Sequence, residues 1–293
     1  MALEYSIRLR DDTTPVVLAG LPTNPESCYL LEDVQGLDGR DIREEVLDLP
    51  DRDGDYLGAV RSAGLSLILS GKIVGLDRGD LRAKERALRA ALAPTDTTWR
   101  LRVQGRVGDP EELVAQVRTS QPFRSSDAAT HSRRVKDWQV ALRAADAVLY
   151  GAATQTVTTL PIIGLGGLLL PLVFPIDLSG SVAGGDPATN SGDAATFPLL
   201  RVYGPITQPI LENLTTGEAI VFSGTIATGE YVEVNTATRD VTFGVAGGSA
   251  YFLLDRAQTS FWSMPPGTTQ MRLRCSAFSD DARLVVTYSN AYL

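Results

Sequence analysis

Residues 270–275 read Gln270-Met271-Arg272-Leu273-Arg274-Cys275, apolar at every second position. That period marks a strand with one face buried and one face wet. Leu284, Val286 and Tyr288 repeat it a few residues on. Met271, Leu273 and Cys275 supply one inner row of a core, and Leu284, Val286 and Tyr288 a second. Working back along the chain, further strand candidates are Leu199–Tyr203, Ala219–Phe222, Tyr231–Asn235, Val241–Phe243 and Tyr251–Leu254. Turn signals separate them: Thr216-Gly217, Thr228-Gly229, Ala246-Gly247-Gly248 and Pro265-Pro266-Gly267. Seven short strands at this spacing in about 100 residues describe an all-β sandwich or barrel.

The first half mixes strands with one clear helix. Strand candidates are Ser6–Leu9, Val16–Leu18 and Leu65–Leu69, with Lys72–Val74 beyond a break at Ser70-Gly71. Trp99, Leu101 and Val103 alternate with polar residues, as do Trp138, Val140 and Leu142. The helix is expected over Asp80–Leu92, capped by Asp77 or Asp80 and ended by Pro94. Leu81, Leu88 and Leu92 share a face, suited to lying on a sheet. Arg82, Lys84, Arg86 and Arg89 lie elsewhere, as a solvated face or a contact with an acidic neighbour. The fold class is therefore mainly β with one α-helix, an α+β chain. Gly36-Leu37-Asp38-Gly39 reads as a loop. Pro50-Asp51-Arg52-Asp53-Gly54-Asp55 reads as a hairpin turn, because its Gly54 falls out of register for a calcium loop.

Between Gly151 and Thr196 the composition turns to Gly, Ala, Thr, Ser and Pro, and Lys and Arg vanish. The expected organisation is a first domain over residues 1–150, a Gly/Pro/apolar linker over 151–190, and a β domain over 191–293. The run Leu160–Ile176 is nearly all apolar, but Pro161, Pro171 and Pro175 interrupt it. A spanning helix needs about 20 apolar residues, and each interior proline removes a helical hydrogen bond. Extended or looped chain covered by protein is expected there, without membrane insertion.

Composition narrows the function. Of 293 residues, 44% are hydrophobic and 21% charged, which are globular values. A net charge of −8 argues against a nucleic-acid partner, which calls for a basic surface. The two cysteines, Cys28 and Cys275, lie far apart and have no metal-ligand spacing; Cys275 fits a reduced, buried thiol. Met1-Ala2-Leu3-Glu4-Tyr5 has no signal-peptide pattern, so synthesis in a cytoplasm is expected.

The search for chemistry finds little. The one histidine, His131, sits in a polar loop with no placed nucleophile. Gly164-Leu165-Gly166-Gly167 has no lysine and no following helix, so it is no phosphate cradle. The acidic pairs Glu44-Glu45, Glu111-Glu112 and Asp280-Asp281 are sequence neighbours, whose side chains point apart. Phe261-Trp262, before Pro265, place one ring inward and one outward, and an outward Trp262 would suit a sugar ring. Packing of both is the competing reading. No catalytic, cofactor-binding or metal-ligating residue is identified, and no cofactor is expected.

A series of segments over the second half resembles a known family. In order they are Asn190-Ser191-Gly192-Asp193 before Pro198, Gly204-Pro205-Ile206, and Pro209-Ile210-Leu211-Glu212-Asn213-Leu214-Thr215-Thr216-Gly217. Gly229-Glu230-Tyr231-Val232-Glu233-Val234-Asn235-Thr236 and Ser260-Phe261-Trp262-Ser263-Met264-Pro265-Pro266-Gly267 follow. This order resembles the C-terminal domain of siphovirus-type distal tail proteins. More loosely, Asp38-Gly39, Ser70–Gly75, the Leu81–Leu92 helix and Ala93-Pro94 fall where that family has its ring-forming domain. Residues 160–176 match nothing in it. Asn235 and Thr269 depart from its usual Asp and Asn, at turn positions. The resemblance implies a split-barrel-like N-terminal domain followed by a galectin-like β-sandwich. It further implies a non-enzymatic homohexameric ring at the distal end of a phage tail, joining the tail tube protein to tail-tip, tail-associated and receptor-binding proteins. The implied location is the virion, after assembly in the host bacterial cytoplasm. Three readings compete with it: a carbohydrate-binding β-sandwich protein, another minor tail or baseplate protein, and a glycoside hydrolase with two carboxylates in one cleft.

Overall fold

Ile7 and Leu9 face inward on the first strand of a sheet that curls back on itself. The computed structural model describes residues 6–9, 16–19, 29–37, 39, 41–48, 53, 55–104, 112–127, 134–163 and 186–293. The chain divides into two compact units, residues 1–153 with Tyr292–Leu293, and residues 154–291.

The first unit comprises β1 (Ser6–Leu9), β2 (Val16–Ala19), β3 (Tyr29–Gln35), β4 (Ile42–Asp48), β5 (Asp55–Ser62), β6 (Ser66–Val74), α1 (Arg78–Ala91), β7 (Trp99–Gln104), β8 (Leu113–Asp127), β9 (Val135–Ala144) and β10 (Leu149–Gly151). Its main sheet runs β10-β8-β7-β1-β2-β3-β6-β9, and β9 pairs again with β8. Val117 marks the closure: its Cα partners are Trp99 on β7 and Ala144 on β9. Among the described residues β2 and β3 share one pair, Ala19 and Leu30. The curled sheet fits the split-barrel-like first unit that was expected. The expected alternation holds: Trp99, Leu101, Val103, Trp138, Val140 and Leu142 are all buried in one core.

Helix α1 packs on β6. Asp77 caps it, accepting the Asp80 N–H at 2.8 Å, which satisfies one of the first turn's orphan donors. Leu81, Leu88 and Leu92 are buried as expected, and Glu85 shares their face. Several features differ from the sequence reading. Ser70-Gly71 is no break: β6 runs through it, and Gly71 is needed because a Cβ there would lie 1.9 Å from the Leu30 carbonyl oxygen. The strand β8, with its charged and polar residues and two bulges, was missed.

The second unit comprises β11 (Gln155–Thr159), β12 (Pro161–Ile163), β13 (Asp186–Asn190), β14 (Leu199–Tyr203), β15 (Ile206–Thr207), β16 (Ile210–Asn213), β17 (Glu218–Val221), β18 (Thr225–Ile226), β19 (Tyr231–Asn235), β20 (Asp240–Phe243), β21 (Gly267–Cys275), β22 (Ala277–Phe278) and β23 (Arg283–Tyr288). The last strand, β24 (Ala291–Tyr292), lies beside β10. One sheet runs β11-β23-β14-β19-β20 and the other β12-β21-β16-β17, with β13 also on β21. Their inner rows form one core, with Leu200, Val234 and Val286 from the first sheet and Leu211, Ile220 and Leu273 from the second. Met271, Leu273, Cys275, Leu284, Val286 and Tyr288 are all buried, as the alternation required.

The boundary falls at 153/154 rather than inside a linker over 151–190. β11 pairs with β23 from Gln155↔Tyr288 to Thr159↔Leu284, and β13 pairs with β21. Their threonines, alanine and proline read as linker because only a few of their side chains enter the core. Of the apolar run, Pro161–Ile163 form β12, parallel to β21; residues 164–176 lie outside the described residues. Tyr251–Leu253 form a 3₁₀ turn, not the expected strand.

Candidate functional site

The residues with chemical promise do not converge. His131, Cys28, Glu111 and Gly164–Gly167 lie outside the described residues. Cys275 is buried, its Sγ lies 3.7 Å from the Ile162 carbonyl oxygen, and burial pushes its thiol pKa up. Glu112 accepts from Arg102 at 2.7 Å on the neighbouring strand. Asp280 and Asp281 are exposed. Among the described residues, no group of three or more His, Cys, Asp or Glu is placed to hold a metal. No helix there is long and apolar enough to cross a membrane. Trp262 is 1% exposed and Phe261 packs against the same core. The outward Trp262 of the sugar-stacking reading is therefore corrected: residues 259–263 form no strand, so the in-and-out alternation does not apply.

Two surfaces of the first unit stand out instead. The first is the β4–β5 hairpin, a two-stranded sheet of its own. The acidic turn was expected in its connection, of which only Asp53 belongs to the described residues. Ile42, Tyr56 and Val60 are 71%, 62% and 60% exposed. Arg43 lies opposite Arg61 and Asp48 opposite Asp55 in its register. Like charges directly opposite are unfavourable in an isolated ladder. Sequence reasoning missed the strands, because Arg43-Glu44-Glu45 and the bulge between Glu44 and Val46 break the period.

The second surface is the outer face of α1, where Arg78, Arg82 and Arg86 are exposed at four-residue spacing. The inner face explains why this helix is held firmly. Glu85 accepts from Ser125 at 2.6 Å, Lys136 at 2.8 Å and Arg89 at 3.0 Å. The Lys136 and Ser125 hydrogen bonds hold its carboxyl below the ordinary carboxylate range, against the opposing effect of burial. The spacing Leu81, Glu85, Leu88, Leu92 carries this signal in the sequence. Beside the cluster, Arg89, Phe123, Arg124 and Asp137 edge an open hollow.

In the second unit, the outer face of the β14–β19–β23 sheet carries a locked polar-aromatic row. Arg283 lies 4.3 Å from the Tyr203 ring centroid, Tyr203 and Tyr231 stack at 5.1 Å, and Arg201 donates to Glu233 at 2.7 Å. The Tyr231 ring covers Gly244, where a Cβ would sit 1.9 Å from Cζ. Guanidinium groups of Arg201 and Arg283 lie over these rings.

Comparison with known proteins bears on both units. Residues 191–292 match the family described as siphovirus-type tail component, C-terminal domain. Among solved structures, the Dit (gp 19.1) protein of phage SPP1 aligns with a TM-score of 0.67 at 13% identity, covering 99% of each chain. Chains of the phage P2 baseplate in its activated conformation, with Ca or Sr, align at 12% identity over 97% of each chain, with TM-scores of 0.48 and 0.47. No curated protein sequence matches. Residues 191–292 are thus similar to the siphovirus-type tail component C-terminal domain, and the chain shares the fold of SPP1 Dit.

Proposed function

We propose that this chain is a structural, non-enzymatic protein of the distal end of a phage tail, a hub between the tail tube and the tip. The observation that carries it is the family match over residues 191–292. The shared fold along the rest of the chain supports it, since SPP1 Dit is described as a paradigm of hub adsorption apparatus in phages that infect Gram-positive bacteria. The first unit builds a homohexameric ring and the sandwiches ride outside it. Tail tube protein lies on one side, and tail-tip, tail-associated and receptor-binding proteins on the other. The ring is assembled in the host cytoplasm and carried in the virion. An exposed apolar hairpin supports self-association, because large exposed apolar patches mark contact surfaces, and head-to-tail contacts that close by rotation make rings. Antibodies against the sandwich, imaged on purified virions, are expected to label the tail tip. Labelling of the capsid, or particles free of the protein, would overturn the reading.

A further inference from the structure

The hairpin exposes the acids Glu44, Glu45 and Asp55 beside Arg43 and Arg61, and the outer face of α1 exposes cations alone. A two-stranded ribbon on its own is marginal in water, yet among the described residues β4–β5 pairs with no other strand and exposes Ile42, Tyr56 and Val60. Glu44, Glu45 and Asp55 are exposed on it, and among the described residues none of the three makes an ion pair. On α1, Arg78, Arg82 and Arg86 are exposed and likewise make no ion pair among the described residues. Like charges four residues apart on a helix repel. Beside this row lie Ala83 and Ala87, also exposed, which leave low ground for apolar side chains to reach the helix. The hairpin has apolar side chains without cover and acids without partners; the helix face has the flat surface and the cations. The net charge of −8 makes undirected self-association repulsive. Copies of this chain therefore need a local contact of opposite sign, and such contacts set register and approach.

We propose that the Arg78–Arg82–Arg86 face of α1 receives the β4–β5 hairpin of a second copy of this chain. This rests on the ring reading above and names the two surfaces that close it. The contact is heterologous, hairpin to helix, so each copy offers one of each and the chain of contacts closes only as a ring.

The test uses the full chain and two charge reversals, Arg82→Glu with Arg86→Glu, and Glu44→Lys with Glu45→Lys. Native mass spectrometry at low salt reads self-association. Each reversed protein alone is expected to associate about tenfold more weakly than wild type or worse. An equimolar mixture is expected to recover to within about threefold of wild type, as assemblies alternating the two proteins, because every hairpin–helix contact is then again between opposite charges. Wild-type association is also expected to weaken as salt rises from about 50 to 500 mM. That titration needs no variant and stands even where a variant fails to fold. Reversed proteins that assemble as wild type does would overturn this contact, and leave the ring reading intact where intact tails still show a ring. Wild-type association indifferent to salt, or a wild-type chain monomeric at every concentration, would overturn it too. The ring reading itself is decided separately, by the copies seen in tails.

Discussion

Asn190 Oδ1 accepts the backbone N–H of Ala291 at 3.2 Å, tying the entry to the family domain to its exit. The same oxygen accepts the Gly192 N–H, and Nδ2 donates to the Ala194 carbonyl at 2.7 Å. Asn190 is 1% exposed, so truncating it leaves several backbone groups buried without partners, at about 1–3 kcal/mol each. Asn190→Ala is expected to lower the thermal midpoint of the sandwich by roughly 5–10 °C. Calorimetry checks this, and a midpoint within a degree of wild type would contradict it.

Glu85 makes stability depend on pH. Its folded pKa is depressed, chiefly by Lys136 and then Ser125. A depressed carboxylate adds stability above its unfolded value, near 4.5, and loses it as pH falls through the folded one. Glu85→Gln is expected to cost about 2 kcal/mol at neutral pH. The gap to wild type should narrow at an acidic pH below 4.5, as the folded carboxylate takes up its proton. Urea unfolding at both pH values checks it. An equal gap at both would show that Glu85 acts by packing and not by charge.

Gly71 and Gly217 are glycines for different reasons. A Cβ at Gly71 would lie 1.9 Å from the Leu30 oxygen, inside the sheet. Gly217 has open space but a φ of +77°. Gly217→Ala is expected to cost about 1 kcal/mol. Gly71→Ala is expected to cost about 3 kcal/mol or more, because the β3–β6 ladder must shift. Equal losses in chemical denaturation would contradict the close approach.

These two positions also show what was legible. The alternation at Met271–Cys275, Leu284–Tyr288, Trp99–Val103 and Trp138–Leu142 was plain, because burial of one face imposes period two. Helix α1 was plain for the same reason at period 3.6, with Asp77 and Pro94 at its ends. Gly71 was misread because a glycine demanded by a neighbouring backbone looks the same in sequence as a glycine in a turn. β11 and β13 were missed because their stability comes from pairing with β23 and β21, far away in sequence. The hairpin strands were hidden by charges that a free ribbon tolerates. Of the candidate surfaces, the basic helix face was visible as a row of arginines; the exposed acids Glu44 and Glu45 were placed on a ribbon only by the β4–β5 register.

The placement of β11 and β13 makes a prediction about fragments. A fragment of residues 154–293 keeps both strands and is expected to melt cooperatively with a β-type circular dichroism spectrum. A fragment of 191–293 uncovers the edge of β23 and one edge of β21. It is expected to be less stable by several kcal/mol or to aggregate through those edges. Equal stability of the two would show that the strands add nothing to the sandwich.

The most direct test of the central claim is cryo-electron microscopy of intact tails, with this chain located by its two-unit density. Six copies in one closed ring at the distal end of the tube, first units inward and sandwiches outward, is the predicted result. A single copy per tip, or density for this chain anywhere but the distal end, would contradict the account.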